Sequence, residues 1–289
     1  MSAAGHSWLP RTTCDRSCVS TERGGALRAA WRTLAATLLL PLLPLLAIPL
    51  PGRVHIQRGY CRLVLRCLGV RIRLSGGPIR NLGGVMVVSN HISWVDVFVI
   101  GAVMPGSFVA RADLVDWPGV GAAARIMSVI PIDRTSLRGL PPVVEAVTMR
   151  LGEGRTVVVF PEGTTYCGRS HGRFHPAMFQ GAVTAGRPVQ PVHLAYRHID
   201  GSRSTVPVFV GDDTMGASLK RIIRTHRTLA HVEVAALQLP GDSRHDLAAR
   251  CEAVVRGGTG QAPTRDLEGC AAGRHPTTVR YSPSNASAA

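Results

Sequence analysis

Four short apolar runs, at 85–89, 156–160, 189–192 and 207–210, constrain what this chain can fold into more than any other feature. A strand with one wet face alternates apolar and polar residues, whereas a continuous apolar run has to be covered on both faces, as in a sheet sandwiched between helices. The run VRIRL at 70–74 does alternate and reads as a strand with one wet face. Longer stretches carrying Gly, Ala and Arg lie between these runs. Those at 93–104, 120–127, 141–151 and 217–225 have helical length and spacing, and Pro141 and Pro142 suit a first turn. The expectation is an α/β fold, a mostly buried sheet flanked by helices, over residues 53–255. With 289 residues, 45% of them hydrophobic, the chain can hold one large domain with a real core, which excludes collagen-like, coiled-coil and fully disordered chains.

A second constraint lies upstream. Residues 33–52, TLAATLLLPLLPLLAIPLPG, carry no charge and are about long enough to cross a bilayer core of about 30 Å as a helix. Pro41, Pro44, Pro49 and Pro51 fall in the second half, where each removes an amide donor and clashes with the preceding turn. A bent or re-entrant, membrane-associated helical segment over 26–52 is therefore expected. The rival readings are a buried core helix, which has to explain a Leu-Pro run without a polar face, and a cleaved signal peptide, which has to explain the preceding Asp15 and Glu22. Arg23, Arg28 and Arg32 flank the run on one side and Arg53, Arg58, Arg62 and Arg66 on the other, and the positive-inside rule is best satisfied with both ends on the cytoplasmic face of the cell membrane. The basic residues 1–25 and the tail 256–289, rich in Gly, Thr, Pro, Ser and Ala, are expected to be disordered.

Charge narrows the partners. There are 33 Lys plus Arg against 18 Asp plus Glu, a formal charge of +15, and Lys220 is the one lysine, so the partner is expected to be anionic and held by guanidinium forks. Aromatics are only 5%, against a nucleic-acid binder built on stacking platforms, and no helix-turn-helix or RNA-binding motif is present; no nucleic acid is expected. The stretch LKRIIRTHR at 219–227 could lie on an anionic bilayer surface or be a solvated basic face. The cysteines, Cys14, Cys18, Cys61, Cys67, Cys167, Cys251 and Cys270, are odd in number and contain no CxxC pair, so they read as reduced cytosolic thiols. Cys14 and Cys18 are ligand-like in spacing, yet no second Cys or His pair follows at a finger-like distance, and no metal site is expected.

The chemistry concentrates in two segments. In VMVVSNHISWVD, 85–96, a buried strand runs into His91 and, five positions later, Asp96. Five residues are about 500° of helix, about 140° off a common face, so the two side chains meet only if His91 sits in the turn after the strand and Asp96 in the first turn of a helix capped by Ser93. A carboxylate then holds one imidazole nitrogen while the other, unprotonated, faces a cleft at the carboxyl end of the sheet. No GxSxG elbow or thiol-enzyme signature supplies a nucleophile, which suits a general base acting on an alcohol brought by the substrate. The plainer alternative is a capping box with Asp96 reaching back to the helix amides. In TVVVFPEGTT, 156–165, a strand gives way to Pro161, Glu162, Gly163, Thr164 and Thr165, which could offer amides and hydroxyls to a phosphate, with Glu162 orienting an Arg or a substrate hydroxyl, or could be a plain turn.

Taken in order, NHxSWxD, ARADLVDWPGVG, PIDR, FPEGTT and VQPV resemble the motif set of the glycerolipid acyltransferase family that includes 1-acylglycerol-3-phosphate acyltransferases, over roughly residues 53–255. The resemblance implies transfer of a fatty acyl group from a thioester, acyl-CoA or acyl carrier protein, to the hydroxyl of lysophosphatidic acid, giving phosphatidic acid without a covalent acyl-enzyme and without a cofactor. By the same resemblance, His91 deprotonates the hydroxyl and Asp96 holds the imidazole. Arg111 and Arg134 bind the acceptor phosphate with Gly163 and Thr164, Glu162 completes the third motif, and Pro191 belongs to the fourth, bordering the acyl channel. Two departures bear on the acceptor. Ser128 stands where the family commonly has Gly, and TTYCGRSHGRFHP is longer and richer in His than expected, with His171 and His175 four apart in what Gly172 and Pro176 mark as a loop with no third metal ligand. A lyso-lipid without phosphate, such as lyso-ornithine lipid, is the alternative acceptor, and a non-catalytic membrane lipid-binding protein the alternative class.

Overall fold

The computed structural model describes residues 10–20, 24–47, 52–77, 83–113, 121, 127–133 and 136–257. Seven strands, β1 (Val70–Gly76), β2 (Met86–Ser89), β3 (Ser107–Arg111), β4 (Ile130–Ile132), β5 (Val157–Val159), β6 (Val189–Arg197) and β7 (Thr228–Val234), form one mixed sheet in the order β1-β7-β6-β2-β5-β3-β4. From β6 across to β4 all neighbours are parallel, whereas β7 runs antiparallel to β6 and carries β1 parallel to itself. The helices are α1 (Ala26–Thr37), α2 (Arg53–Leu68), α3 (Asp96–Val103), α4 (Leu140–Gly152), α5 (Phe179–Thr184), α6 (Met215–Arg224) and α7 (Arg244–Gly257).

The unalternating runs are explained by two cores, one on each face. Met86 and Val88 of β2 and Val157 and Val159 of β5 enter one core with Val147, Phe179 and Leu247 of α4, α5 and α7. Val87 and Val158, one residue out of phase, enter the other with Leu65 and Ile100 of α2 and α3. Each such side chain is worth about 1.5–3 kcal/mol of burial, so a polar residue on either face would be costly. Pro191, buried in β6, pairs with Val88 of β2 and stands just before β7 begins to pair at Val192. There its missing amide costs the ladder little.

Several expectations change. The run at 207–210 is not a strand: Val206, Val208 and Val210 are buried in an irregular segment whose Val206 and Val208 carbonyls accept from the Arg221 guanidinium. That arginine also pairs with Asp213 at 2.6 Å, so in the 219–227 stretch it is a structural residue, while Leu219, Lys220, His226 and Arg227 are exposed. The region 120–127 lies largely outside the described residues, as does the tail beyond 257. Within the N-terminal stretch expected to be disordered, residues 10–20 are packed: Cys14 and Cys18 are buried, and the Ser20 amide donates to Thr205 Oγ1 at 3.0 Å. The local driving force is cysteine burial, which a count of large apolar residues misses.

The apolar segment behaves as its prolines require. Helix α1 stops at Thr37 and the chain rewinds as a 3₁₀ helix over Leu40–Ala47, with Pro44 inside it. Residues Ala26–Leu46 are long and apolar enough to cross a membrane, and only 6% of the most apolar window is buried. Arg32 fastens α1 to the domain, its guanidinium donating to the carbonyls of Ile223, Thr225 and His226 at 2.6–3.0 Å around the end of α6.

Ser128 has φ +55, the one non-glycine residue in the left-handed region among those described. That conformation favours a glycine at this point in the chain. Ser128→Gly should therefore raise stability by about 0.5–1 kcal/mol, the left-handed penalty less the entropy of glycine, read as a higher urea midpoint at unchanged slope.

Candidate active site

His91 follows the central strand β2 and Glu162 follows its neighbour β5, so parallel pairing alone brings the two segments to one end of the sheet. The His91 Nδ1 lies 2.9 Å from Asp96 Oδ2. The same oxygen accepts the Ile92 and Ser93 amides at 2.7 and 2.9 Å, and Asp96 Oδ1 accepts the Tyr196 hydroxyl at 2.6 Å. One fully buried carboxylate thus reaches back to two amides of the turn before the helix and also holds the imidazole. Ser93 is not the N-cap. The helix starts at Asp96 itself, after Val95, and the Ser93 hydroxyl instead accepts the Val95 amide at 3.3 Å.

Burial and the adjacent Asp96 push the Tyr196 hydroxyl well above its ordinary value, which keeps it a donor. With two amides and a phenol already donating to Asp96, the consistent tautomer has Nδ1–H donating as well and Nε2 unprotonated. The imidazole stacks on Phe160 at 4.1 Å between centroids, and Nδ1–Asp96 with the Phe160 face leaves the ring little rotational freedom.

Glu162 acts on the backbone. Its Oε2 accepts the His91 amide at 2.8 Å and its Oε1 the Gly172 amide at 3.2 Å. Buried at 2% exposure with both oxygens engaged by amides, it does not face a substrate hydroxyl as expected, while Arg256 is near enough to pull on its charge. Gly163 is likewise a turn residue and not a phosphate donor, since its amide closes on the Phe160 carbonyl at 3.1 Å, its φ is +72, and Pro10 covers its Cα side. Thr164 is half-buried in that turn. Arg111 ends β3 at the same edge of the sheet, but its side chain is 60% exposed and donates twice to Asp113, at 2.9 and 2.7 Å. Arg134 lies outside the described residues.

A cavity of about 550 Å³ opens beside His91. Its cationic wall is Arg169, Arg197, Arg203 and Arg256, none of them in the motifs that identify the chain from sequence, with His171, His193 and His231 among them. Burial and the neighbouring arginines push His193 down to about 4, and burial lowers His171 and His231 as well. At neutral pH the positive charge of this wall therefore comes from guanidinium groups. Burial and repulsion from Arg197 and Arg169 also lower Arg203, a strain that a bound anion relieves.

The residues missed from sequence are Tyr196, Asn90 and the arginine wall. Asn90 sits in the motif itself, and its side chain exchanges two bonds with the Leu194 backbone at 2.8 and 2.9 Å, sewing the end of β2 to β6. Tyr196 and the arginines had no local signal, because they arrive through strand pairing and loops 78 to 165 residues further on.

Burial pushes the Glu162 carboxyl up to about 8, against the pull of the two amides and Arg256. The folded state thus holds a proton that the unfolded chain loses near 4.5, so this group's stabilisation is complete below that pH and is lost as pH rises through about 8. Glu162→Gln should remove the dependence. Relative to the wild type, the variant should gain on the order of 1–4 kcal/mol between about pH 5 and pH 8.5 in urea unfolding. Parallel curves for the two proteins would show that Glu162 is ionised throughout.

The Acyltransferase family profile matches residues 71–195, from β1 through most of β6. The lyso-ornithine lipid O-acyltransferase of Pseudomonas aeruginosa is 32% identical over 71% of this chain and 79% of its own length. The 1-acyl-sn-glycerol-3-phosphate acyltransferase of Neisseria meningitidis serogroup B is 31% identical over 71% and 80%. Among solved structures, the 1-acyl-sn-glycerophosphate (LPA) acyltransferase PlsC of Thermotoga maritima shares the fold, with a TM-score of 0.58 over 83% of this chain and 97% of that one at 19% identity. With the ordered motifs, the sheet and these relatives in agreement, the chain belongs to the Acyltransferase family and is a lysophospholipid-type acyltransferase.

Proposed function

We propose that the protein moves a fatty acyl group from acyl-CoA or acyl carrier protein to the free hydroxyl of lysophosphatidic acid, giving phosphatidic acid. His91 Nε2 takes the hydroxyl proton as the oxygen attacks the thioester carbonyl. The tetrahedral intermediate collapses with loss of the thiolate, which takes the proton back from the imidazolium. Asp96 stabilises the imidazolium and fixes the ring, and Tyr196, Ile92 and Ser93 fix Asp96. The chemistry so written needs no cofactor. The observation that carries it is the His91–Asp96 pair, 2.9 Å apart beside a cavity walled by four guanidinium groups. Arg111 would join the phosphate only by exchanging its bond to Asp113, and Arg134 stays with it as a proposed phosphate ligand.

The setting supports a lipid substrate. Ten of the sixteen large exposed apolar side chains among the described residues, from Leu27 to Leu63, lie on α1, the 3₁₀ segment and α2 or, in the case of Leu38, on the turn between the first two. Such a patch suits insertion into a bilayer, with Lys220 and Arg227 at an anionic headgroup surface and the active site on the cytoplasmic face.

A second reading keeps the mechanism and changes the acceptor to lyso-ornithine lipid. The similarity to the Pseudomonas aeruginosa enzyme favours it, and Glu233 on the cavity wall could meet an ammonium group. Thioester consumption by detergent-solubilised protein with each lyso-lipid decides between them. Turnover with lysophosphatidic acid is expected, falling about 10²- to 10⁴-fold in His91→Ala at unchanged thermal stability. Arg203→Ala should raise KM for lysophosphatidic acid about tenfold or more with little change in kcat. Turnover with lyso-ornithine lipid alone would establish the second reading, and lipid binding without turnover would leave a non-catalytic lipid-binding protein.

A further inference from the structure

Cys14 and Cys18 meet a third thiol that spacing could not supply. Cys167, in the loop after Glu162, is brought to them by the fold, and the three Sγ atoms lie within 4.8 Å of one another. All three side chains are buried, at 4%, 5% and 1% exposure. The 3₁₀ turn Arg16–Cys18, capped by the Asp15 side chain on the Ser17 amide at 2.9 Å, turns Cys14 and Cys18 to the same side. Ser170 completes the cluster, with its Oγ 2.9 Å from Cys14 Sγ and 3.7 Å from Cys167 Sγ.

We propose that Cys14, Cys18 and Cys167 form a structural zinc site that staples residues 10–20 to the loop following Glu162. Tetrahedral zinc with sulfur at about 2.3 Å sets its thiolates about 3.8 Å apart, so the trio closes on the ion with small side-chain shifts. The Ser170 hydroxyl or a water takes the fourth position. Binding displaces the three thiol protons to solvent, and the resulting single negative charge sits next to Arg203, which donates to the Gly168 carbonyl at 2.9 Å. Thiolate sulfur selects a soft ion over magnesium or calcium. A disulfide would use two of the thiols and strand the third in a buried site.

The staple has a place in the site's architecture without being part of the chemistry. The Tyr166 amide donates to the His91 carbonyl at 2.8 Å and the Gly172 amide to Glu162, so the loop that carries Cys167 is fastened to the catalytic turn on both sides. The N-terminal strap covers this loop, with the Tyr166 hydroxyl donating to the Arg11 carbonyl at 3.2 Å and Pro10 over Gly163. Tying the strap to the loop rigidifies both from outside.

The test is metal content of the full chain, purified under reducing conditions without a metal-affinity tag and then equilibrated with zinc and desalted. The expected result is about one zinc per chain by plasma mass spectrometry, falling about tenfold or more in Cys14→Ser and Cys18→Ser but not in Cys251→Ser. Because a ligand variant could fail to fold, the wild-type chain is also titrated with Co²⁺, which should give thiolate-to-cobalt charge transfer saturating at one equivalent. No metal and no cobalt spectrum would overturn the proposal. So would a disulfide between two of the trio, read as a denatured thiol titre two short of the seven cysteines and placed by peptide mapping of a sample purified without reductant. None of these readouts involves acyl transfer, so the site stands or falls independently of the proposed acceptor and mechanism.

Discussion

The Asp96 carboxylate is the interaction on which the site depends. Placing a charge in a fully buried position costs several kcal/mol unless donors surround it, and here four converge: the Ile92 and Ser93 amides, the His91 ring and the Tyr196 hydroxyl. Each donor comes from a different structural need. The amides belong to the turn leaving β2, the imidazole to the reacting group, and the phenol to β6 on the other side of the strand. Removing the carboxylate would orphan two buried amides and a phenol as well as release the histidine, so geometry and chemistry are protected by the same group. This also explains why a five-residue spacing, useless on a continuous helix, works here: the turn holding His91 is built around the acid that orients it.

Glu162 shows how a second buried carboxylate takes a different task. It accepts the amides of His91 and Gly172 and feels the Arg256 charge, yet burial outweighs all three and pushes its carboxyl up to about 8. Asp96 holds the ring of His91 and Glu162 holds its backbone. His91 is thereby fixed from two motifs on adjacent parallel strands.

What was legible in the sequence follows the range of the interactions involved. Val87 and Val158 could be read as buried on both faces because burial leaves a local pattern, and the helix at α4 because Pro141 and Pro142 mark its first turn. His91 and Asp96 could be paired because they are five residues apart. Apolar content at 207–210 says nothing of whether a neighbouring strand exists; Arg221, Thr165 and the Asp213 amide, not a strand, donate to the Val208, Phe209 and Val210 carbonyls. The turn that carries Glu162 is legible from the strand before it, but the His91 amide it accepts lies 71 residues away. Cys14 and Cys18 looked like half a metal site because the third thiol arrives from across the fold.

The same division by range separates reaction from acceptor. His91 and the groups that hold it lie at 90–96, 160–162 and 196, at the ends of β2 and β5 and on β6. The cationic wall is drawn from Arg169, Arg197, Arg203 and Arg256, carried by the long loop after Glu162, the edge of β6 and the last helix. Arg197, Arg203 and Arg256 donate to the Gly201, Gly168 and Gly172 carbonyls, in loops apart from the turn that holds Asp96. On the proposed function the acceptor would be read by that wall and not by the dyad, and relatives named for lyso-ornithine lipid and for 1-acyl-sn-glycerol-3-phosphate stand at nearly equal identity to this chain, 32% and 31%.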